Sequence, residues 1–163
     1  METRDDAPRK CYVTALRMLA QRRLTEAQLW KKLERREYQD EVIRAAVERC
    51  KADGYVDDRL YAQLYVEQKI KALGDARLVG ELVKKGIDRD AARRAVETSE
   101  TQQHERIDAA IEKIFRVKPN ANYSSSARAL ERLGFPASLI YQKLRAHAAQ
   151  FGPFAALDLQ ERS

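Results

Sequence analysis

Asp57 and Asp58 are adjacent carboxylates in a chain of 163 residues. Such a pair can hold a hard cation. Here Arg59 follows at once, and then the apolar stripe Leu60, Tyr61, Leu64 and Tyr65. An aspartate just ahead of such a stripe is placed to accept the orphan N–H groups of a helix start, so capping is the expected role. His104 and His147 are isolated and lack the ligand spacing of a zinc site. Ser124, Ser125 and Ser126 fall in the stretch 117–126, which reads as the longest non-helical segment, a loop entering a helix rather than a nucleophile site. Cys11 and Cys50 both sit at apolar-periodic positions and read as reduced, buried thiols. No Walker-type phosphate loop, HExxH or paired CxxC occurs. The expectation is a protein that is not an enzyme and needs no cofactor or metal of its own.

The charged residues carry the stronger functional signal. Lys and Arg number 31 against 25 Asp and Glu, a formal charge of +6, which favours an anionic or acidic partner. Between residues 17 and 36 stand Arg17, Arg22, Arg23, Lys31, Lys32, Arg35 and Arg36, opposed only by Glu26 and Glu34. Lys84 and Lys85 hold the equivalent end of a second, similar segment. Cations also favour the last turn of a helix through its dipole, so two readings stand side by side. One is ordinary helix ends. The other is a basic surface repeated along the body of the protein, suited to a long partner.

The elements that position these groups follow from a repeat. "KKLERREYQ", "GELVKKGID" and "RALERLGFP" each place a leucine, basic residues, a glycine or its substitute, and a large apolar residue in the same order. Leu33, Leu82 and Leu130 align, as do Glu37, Gly86 and Gly134, giving a period of about 48 residues, which suits three short helices per unit. Tyr12, Leu16, Leu19 and Ala20 mark a first helix. "TEAQ" at 25–28 is a capping box opening a second, and Val42, Ile43, Ala46, Val47 and Cys50 stripe a third. The later units repeat this pattern, with Asp88 capping one helix and Pro136 at the first position of another. Each glycine is expected to end a helix in the left-handed conformation. The predicted fold is all-α: an elongated, curved tandem array of three-helix repeats in three units, at 10–52, 53–99 and 100–149, with tails at 1–9 and 150–163.

The phrases together carry a resemblance. "DGYVDDRLYAQLYV" (53–66) looks like the signature of the RecX family, regulators of the RecA recombinase. Gly54, Tyr55, Asp57, Asp58 and Arg59 make up its core and are read as mainly structural, like Gly86 and Gly134. "GDARLVGELVKKGI" (74–87), "LERLGF" (130–135) and "ALRMLAQRRLTEAQLWKKL" (15–33) are similar to further family segments, so the resemblance spans residues 10–146. Glu37 departs from it where the first repeat usually has glycine, and Asp75 where a proline often follows Gly74. The resemblance implies a protein that binds in the groove of the RecA–DNA filament. It also implies that the protein curbs ATP hydrolysis, strand exchange and co-protease action in DNA repair and the SOS response.

Two other classes compete. One is a sequence-tolerant nucleic-acid-binding module acting without the recombinase; the lysines and arginines predict weak, electrostatic binding to single- or double-stranded DNA in any case. The other is a helical adaptor for an unrelated protein. Residues 1–10 lack the apolar region of a secretory signal, and no run approaches the roughly 18 apolar residues of a membrane span. A cytoplasmic monomer without membrane contact is expected.

Overall fold

The computed structural model describes residues 6–99 and 101–152; the tails expected at 1–9 and 150–163 lie mostly outside them. Every regular element among the described residues is helical. They are α1 (Asp6–Gln21), α2 (Glu26–Glu34), α3 (Asp40–Ala52), α4 (Asp58–Lys69), a 3₁₀ turn (Ile70–Ala72), α5 (Asp75–Lys84), α6 (Arg89–Glu97), α7 (Gln103–Val117), α8 (Tyr123–Arg132) and α9 (Ala137–Phe151).

The chain forms two compact units. Among the described residues, one holds 6–64 together with 82–92, and the other holds 65–81, 93–99 and 101–152. In the first unit α1, α2 and α3 pack against one another around Leu24, Leu29, Leu33, Ile43, Val47 and Cys50. In the second, α7, α8 and α9 do the same around Ile107, Ile111, Leu130, Phe135, Ile140 and Leu144. Fully burying each such side chain contributes about 1.5–3 kcal/mol. The helices α4, α5 and α6 each change unit along their length, with Ala62, Leu78, Leu82 and Val96 buried in them.

Most of the local signals hold in the structure. Thr25 is extended (φ −74°, ψ 161°) and caps α2. Its hydroxyl accepts from Gln28 N–H at 3.1 Å, and the Gln28 side chain accepts from Thr25 N–H at 3.1 Å. Asp57 Oδ1 accepts from Leu60 N–H at 3.0 Å at the start of α4. Asp88 accepts from Asp90 and Ala91 at the start of α6. Four readings need correction. The buried residues of α4 are Ala62 and Val66, while Leu60 is exposed and Tyr61, Leu64 and Tyr65 are half-buried. The serines lie in the first turn of α8, whose cap is Asn122 accepting from Ser125 N–H at 2.8 Å; an asparagine cap offsets the weak helix propensity of a serine run. Pro136 is the extended cap itself (ψ 149°), and α9 begins one residue later. The innermost face of α1 is Cys11 and Ala15, while Tyr12, Leu16 and Leu19 are half-buried and Ala20 is exposed.

All three repeated turns are left-handed: Gly86 at φ 91°, Gly134 at φ 95° and Glu37 at φ 64°. At the two glycines the next residue closes the helix end. Ile87 N–H reaches Leu82 O at 3.1 Å and Phe135 N–H reaches Leu130 O at 3.2 Å. Both side chains are buried, as the glycine-ended motif requires.

Candidate partner-binding surface

The surface is held in place by two similar joints, one in each compact unit. In the first, the start of α2 meets the glycine turn after α5. Thr25 Oγ1 donates to Lys85 O at 2.6 Å, and Asp58 Oδ1 accepts from Glu26 N–H at 2.9 Å. The backbones approach so closely that a Cβ on Gly86 would lie 2.2 Å from Ala27 Cβ. In the second, the start of α5 meets the glycine turn after α8. Gly74 N–H donates to Leu133 O at 2.8 Å, Gln103 Oε1 accepts from Asp75 N–H at 2.8 Å, and Arg77 donates to Arg132 O at 3.0 Å. A Cβ on Gly134 would lie 2.4 Å from Arg77 Cβ, and one on Gly74 would lie 2.2 Å from the Gly134 carbonyl carbon. Thr25 and Gly74 are equivalent in the repeat, as are Lys85 and Leu133. The same carbonyl is therefore satisfied twice, once by a hydroxyl and once by a bare backbone N–H.

These joints give the sequence signature its meaning. Asp57 caps its own helix, while Asp58 caps the neighbouring α2, so the adjacent carboxylates serve two helix starts. Burial holds the Asp58 carboxyl above its ordinary range, and the hydrogen bond from Glu26 N–H pulls it the other way. In the second joint a guanidinium enters. Arg106 is 2% exposed; it donates to Leu73 O at 2.6 Å and pairs with the Asp75 carboxylate. Sequence reasoning missed Arg106, because an arginine in the first turn of a helix carries no local sign of burial.

The basic residues are mostly exposed. Arg17, Arg22, Arg23, Lys31, Arg35, Arg36 and Lys84 are exposed, and Lys32 and Lys85 are half-buried. The two carboxylates of α2 look elsewhere. Glu26 pairs with Lys51 at 3.3 Å, and Glu34 accepts from Trp30 Nε1 at 2.9 Å. From Arg17 to Arg36 no ion pair neutralises any of the seven cations among the described residues, so this segment keeps its net positive charge. Of the signature residues, Gly54 is left-handed at φ 80°, Tyr55 is 55% exposed, and Arg59 is exposed.

His104 is exposed, while other polar and aromatic groups are engaged in packing. Tyr61 and Tyr65 are half-buried. The Tyr65 hydroxyl donates to Glu81 and is the main cause holding that carboxyl below its ordinary range. His147 stacks on Phe115 at 4.4 Å and lies tilted against Phe151 at 4.7 Å; burial lowers its pKa. Cys11 and Cys50 are buried free thiols. Among the described residues no group of three or more His, Cys, Asp or Glu is placed to hold a metal ion, and no helix is long and apolar enough to cross a membrane.

Comparison with known proteins bears on much of the chain. Residues 11–50 match the family model described as RecX, first three-helix domain, and residues 57–96 match RecX, second three-helix domain. Regulatory protein RecX of Thermobifida fusca is 39% identical over 61% of this chain and 57% of its own length. The Caldanaerobacter subterraneus protein of the same name is 33% identical over 66% of this chain and 54% of its own length. The chain thus spans little more than half of these two relatives. Regulatory protein RecX of Thermus thermophilus is 30% identical over 80% of this chain and 87% of its own length. The crystal structure of RecX from Lactobacillus salivarius matches with a TM-score of 0.77 at 21% identity, covering 87% of this chain and 97% of that one; at that identity the likeness is one of fold.

Proposed function

The chain belongs to the RecX family, and on that premise we propose that it regulates the RecA recombinase, mainly as an inhibitor. It binds in the groove of the RecA–DNA filament and lowers ATP hydrolysis, strand exchange and co-protease activity, in the cytoplasm where DNA repair and the SOS response take place. The observation that supports this most directly is that Arg17, Arg22, Arg23, Lys31, Lys32, Arg35 and Arg36, in and beside α1 and α2, are mostly exposed and carry no ion-pair partner among the described residues. Lys84 and Lys85 supply the corresponding positions in the next repeat. A filament repeats its own surface, so repeats at 10–52, 53–99 and 100–149 engage successive protomers and weak contacts add through effective concentration. No cofactor is required.

The test is ATP hydrolysis by a matched recombinase on single-stranded DNA, titrated with this protein, beside binding to the same DNA alone. Inhibition is expected at well below one copy per protomer. Free DNA binding is expected to be sequence-tolerant and to fall steeply as salt rises. Unchanged hydrolysis and strand exchange at saturating protein would sink the proposal. Salt-insensitive or strongly sequence-selective DNA binding would move the reading to a nucleic-acid-binding module that acts without the recombinase.

A further inference from the structure

Tyr55 breaks the pattern of the glycine turns. After Gly86 and Gly134 the next side chain is buried, but after Gly54 it is Tyr55, 55% exposed, and the buried residue is Val56, one place later. Tyr55 N–H still closes the helix end on Cys50 O at 2.9 Å, and a Cβ on Gly54 would meet nothing within 4 Å. The turn is therefore not pressed against a neighbour as the others are. It presents an aromatic ring to the outside.

Beside that ring is a groove of about 440 Å³, within the size range of small-ligand clefts. Leu16, Leu19 and Ala20 of α1 line it together with Arg23, Gly54 and Tyr55. The side chains of Leu16, Leu19 and Ala20 carry no polar atom. Arg23 is exposed and has no ion-pair partner among the described residues. The acids nearby in sequence are engaged: Glu26 pairs with Lys51 at 3.3 Å, and Asp53 accepts from the Tyr12 hydroxyl at 2.6 Å and lies 3.9 Å from Arg49.

We propose that this groove binds an acidic protein segment that inserts one large apolar side chain between Tyr55 and Leu16, Leu19 and Ala20, with its carboxylates met by Arg23 and Arg22. The side chains of Leu16, Leu19 and Ala20 offer no hydrogen-bond partner to the polar edges of a nucleobase, which favours a peptide anchor against them. The ring of Tyr55 supplies a rigid contact of the kind that dominates binding energy at interfaces. The free cations supply charge complementarity. This deepens the filament reading by naming the chemistry of the partner segment, and it rests on the partner being a protein.

The test uses the full chain and a fluorescently labelled acidic peptide with one central phenylalanine, read by anisotropy. A second peptide has alanine in place of the phenylalanine, and a labelled oligothymidylate stands beside them. The phenylalanine peptide is expected to bind, with the alanine peptide about tenfold weaker, as for truncation of a buried aromatic anchor. Tyr55→Ser and Ala20→Glu are each expected to weaken binding about tenfold, with unchanged helicity. The joint replacement of Lys31, Lys32, Arg35 and Arg36 by alanine should leave peptide binding largely intact. Equal binding of the two peptides, full binding by Tyr55→Ser, or no peptide binding would overturn the proposal. So would oligothymidylate binding that is lost in Tyr55→Ser while the peptide does not bind. The recombinase assay stands apart: inhibition without peptide binding removes only the groove, and peptide binding without inhibition removes only the filament reading.

Discussion

Replacing Gly86 by alanine tests the joint at its tightest point. The turn sits at φ 91°, where a side chain costs about 1–2 kcal/mol. The added Cβ would also lie 2.2 Å from Ala27 Cβ, against roughly 3.5–4 Å for carbon atoms in contact. The first turn of α2 has to retreat by more than an ångström, which stretches the 2.6 Å bond from Thr25 Oγ1 to Lys85 O. Overpacking of this kind costs about 1–3 kcal/mol, and the hydrogen bond contributes about 1 kcal/mol. Alanine returns about 0.4–1 kcal/mol by stiffening the unfolded chain. A net loss of roughly 3 kcal/mol is expected. Glu37→Gly should do the reverse: the left-handed strain at φ 64° is relieved, and after the unfolded-state offset a gain of about 0.5 kcal/mol remains. Urea unfolding followed by far-ultraviolet circular dichroism measures both. A third variant separates strain from contact. Ala27→Gly in the Gly86→Ala background removes the Cβ–Cβ overlap and should recover about half of the loss. If Gly86→Ala costs under about 1 kcal/mol, or if Ala27→Gly recovers nothing, the close-approach account is refuted.

Three further outcomes are expected. Changing Lys31, Lys32, Arg35 and Arg36 together to alanine should raise the concentration for half-inhibition of the recombinase roughly tenfold while thermal melting stays nearly unchanged, because exposed charges add little stability; inhibition at the original potency would make them ordinary helix ends. Asp75→Ala leaves the Arg106 guanidinium buried with Leu73 O and should cost about 2 kcal/mol, discounted from a fully buried pair because Asp75 is partly exposed. Adding Arg106→Met should return most of that loss, and an additive double mutant in chemical denaturation would show that the pair is not coupled. Burial, with a smaller effect from Cys50, pushes the Cys11 thiol up to about 11. Native protein at mildly alkaline pH should therefore resist thiol reagents until it unfolds. Since the unfolded thiol ionises first, stability should decline as pH climbs from the ordinary value of 9.0 towards 11. Rapid labelling of the folded protein would contradict this.

The helices, their caps and the left-handed turns were legible because each is written locally. Thr25 and Gln28 are three residues apart, Asp57 precedes its own helix, and the stripes repeat within a single element. The joints were not legible. Alignment makes Thr25 equivalent to Gly74 but gives no indication that either touches the following glycine turn, since equivalence is not contact. Gly86 and Gly134 read as conformational glycines, and their second reason, the neighbour 2.2–2.4 Å from any added Cβ, depends on residues far away in sequence. Asp58 read as one of two interchangeable caps, yet it reaches across to Glu26. The serine run misled because serine favours turns, while the deciding residue was Asn122 just before it. The basic residues were visible individually. That their two acidic neighbours on α2 are occupied by Trp30 and Lys51 was not.

Each joint pairs unlike halves, a helix start on one repeat and a glycine turn on the next, so the order of repeats has a direction. A repeat inserted between existing ones can join on both sides if it carries both halves. One added ahead of the first cannot, because the turn it would have to seat on presents Glu37, whose Cβ occupies the position that Gly86 and Gly134 leave vacant. In the redesign of such a chain, lengthening from that end first calls for a glycine at position 37, so a single residue controls whether that turn can seat another repeat.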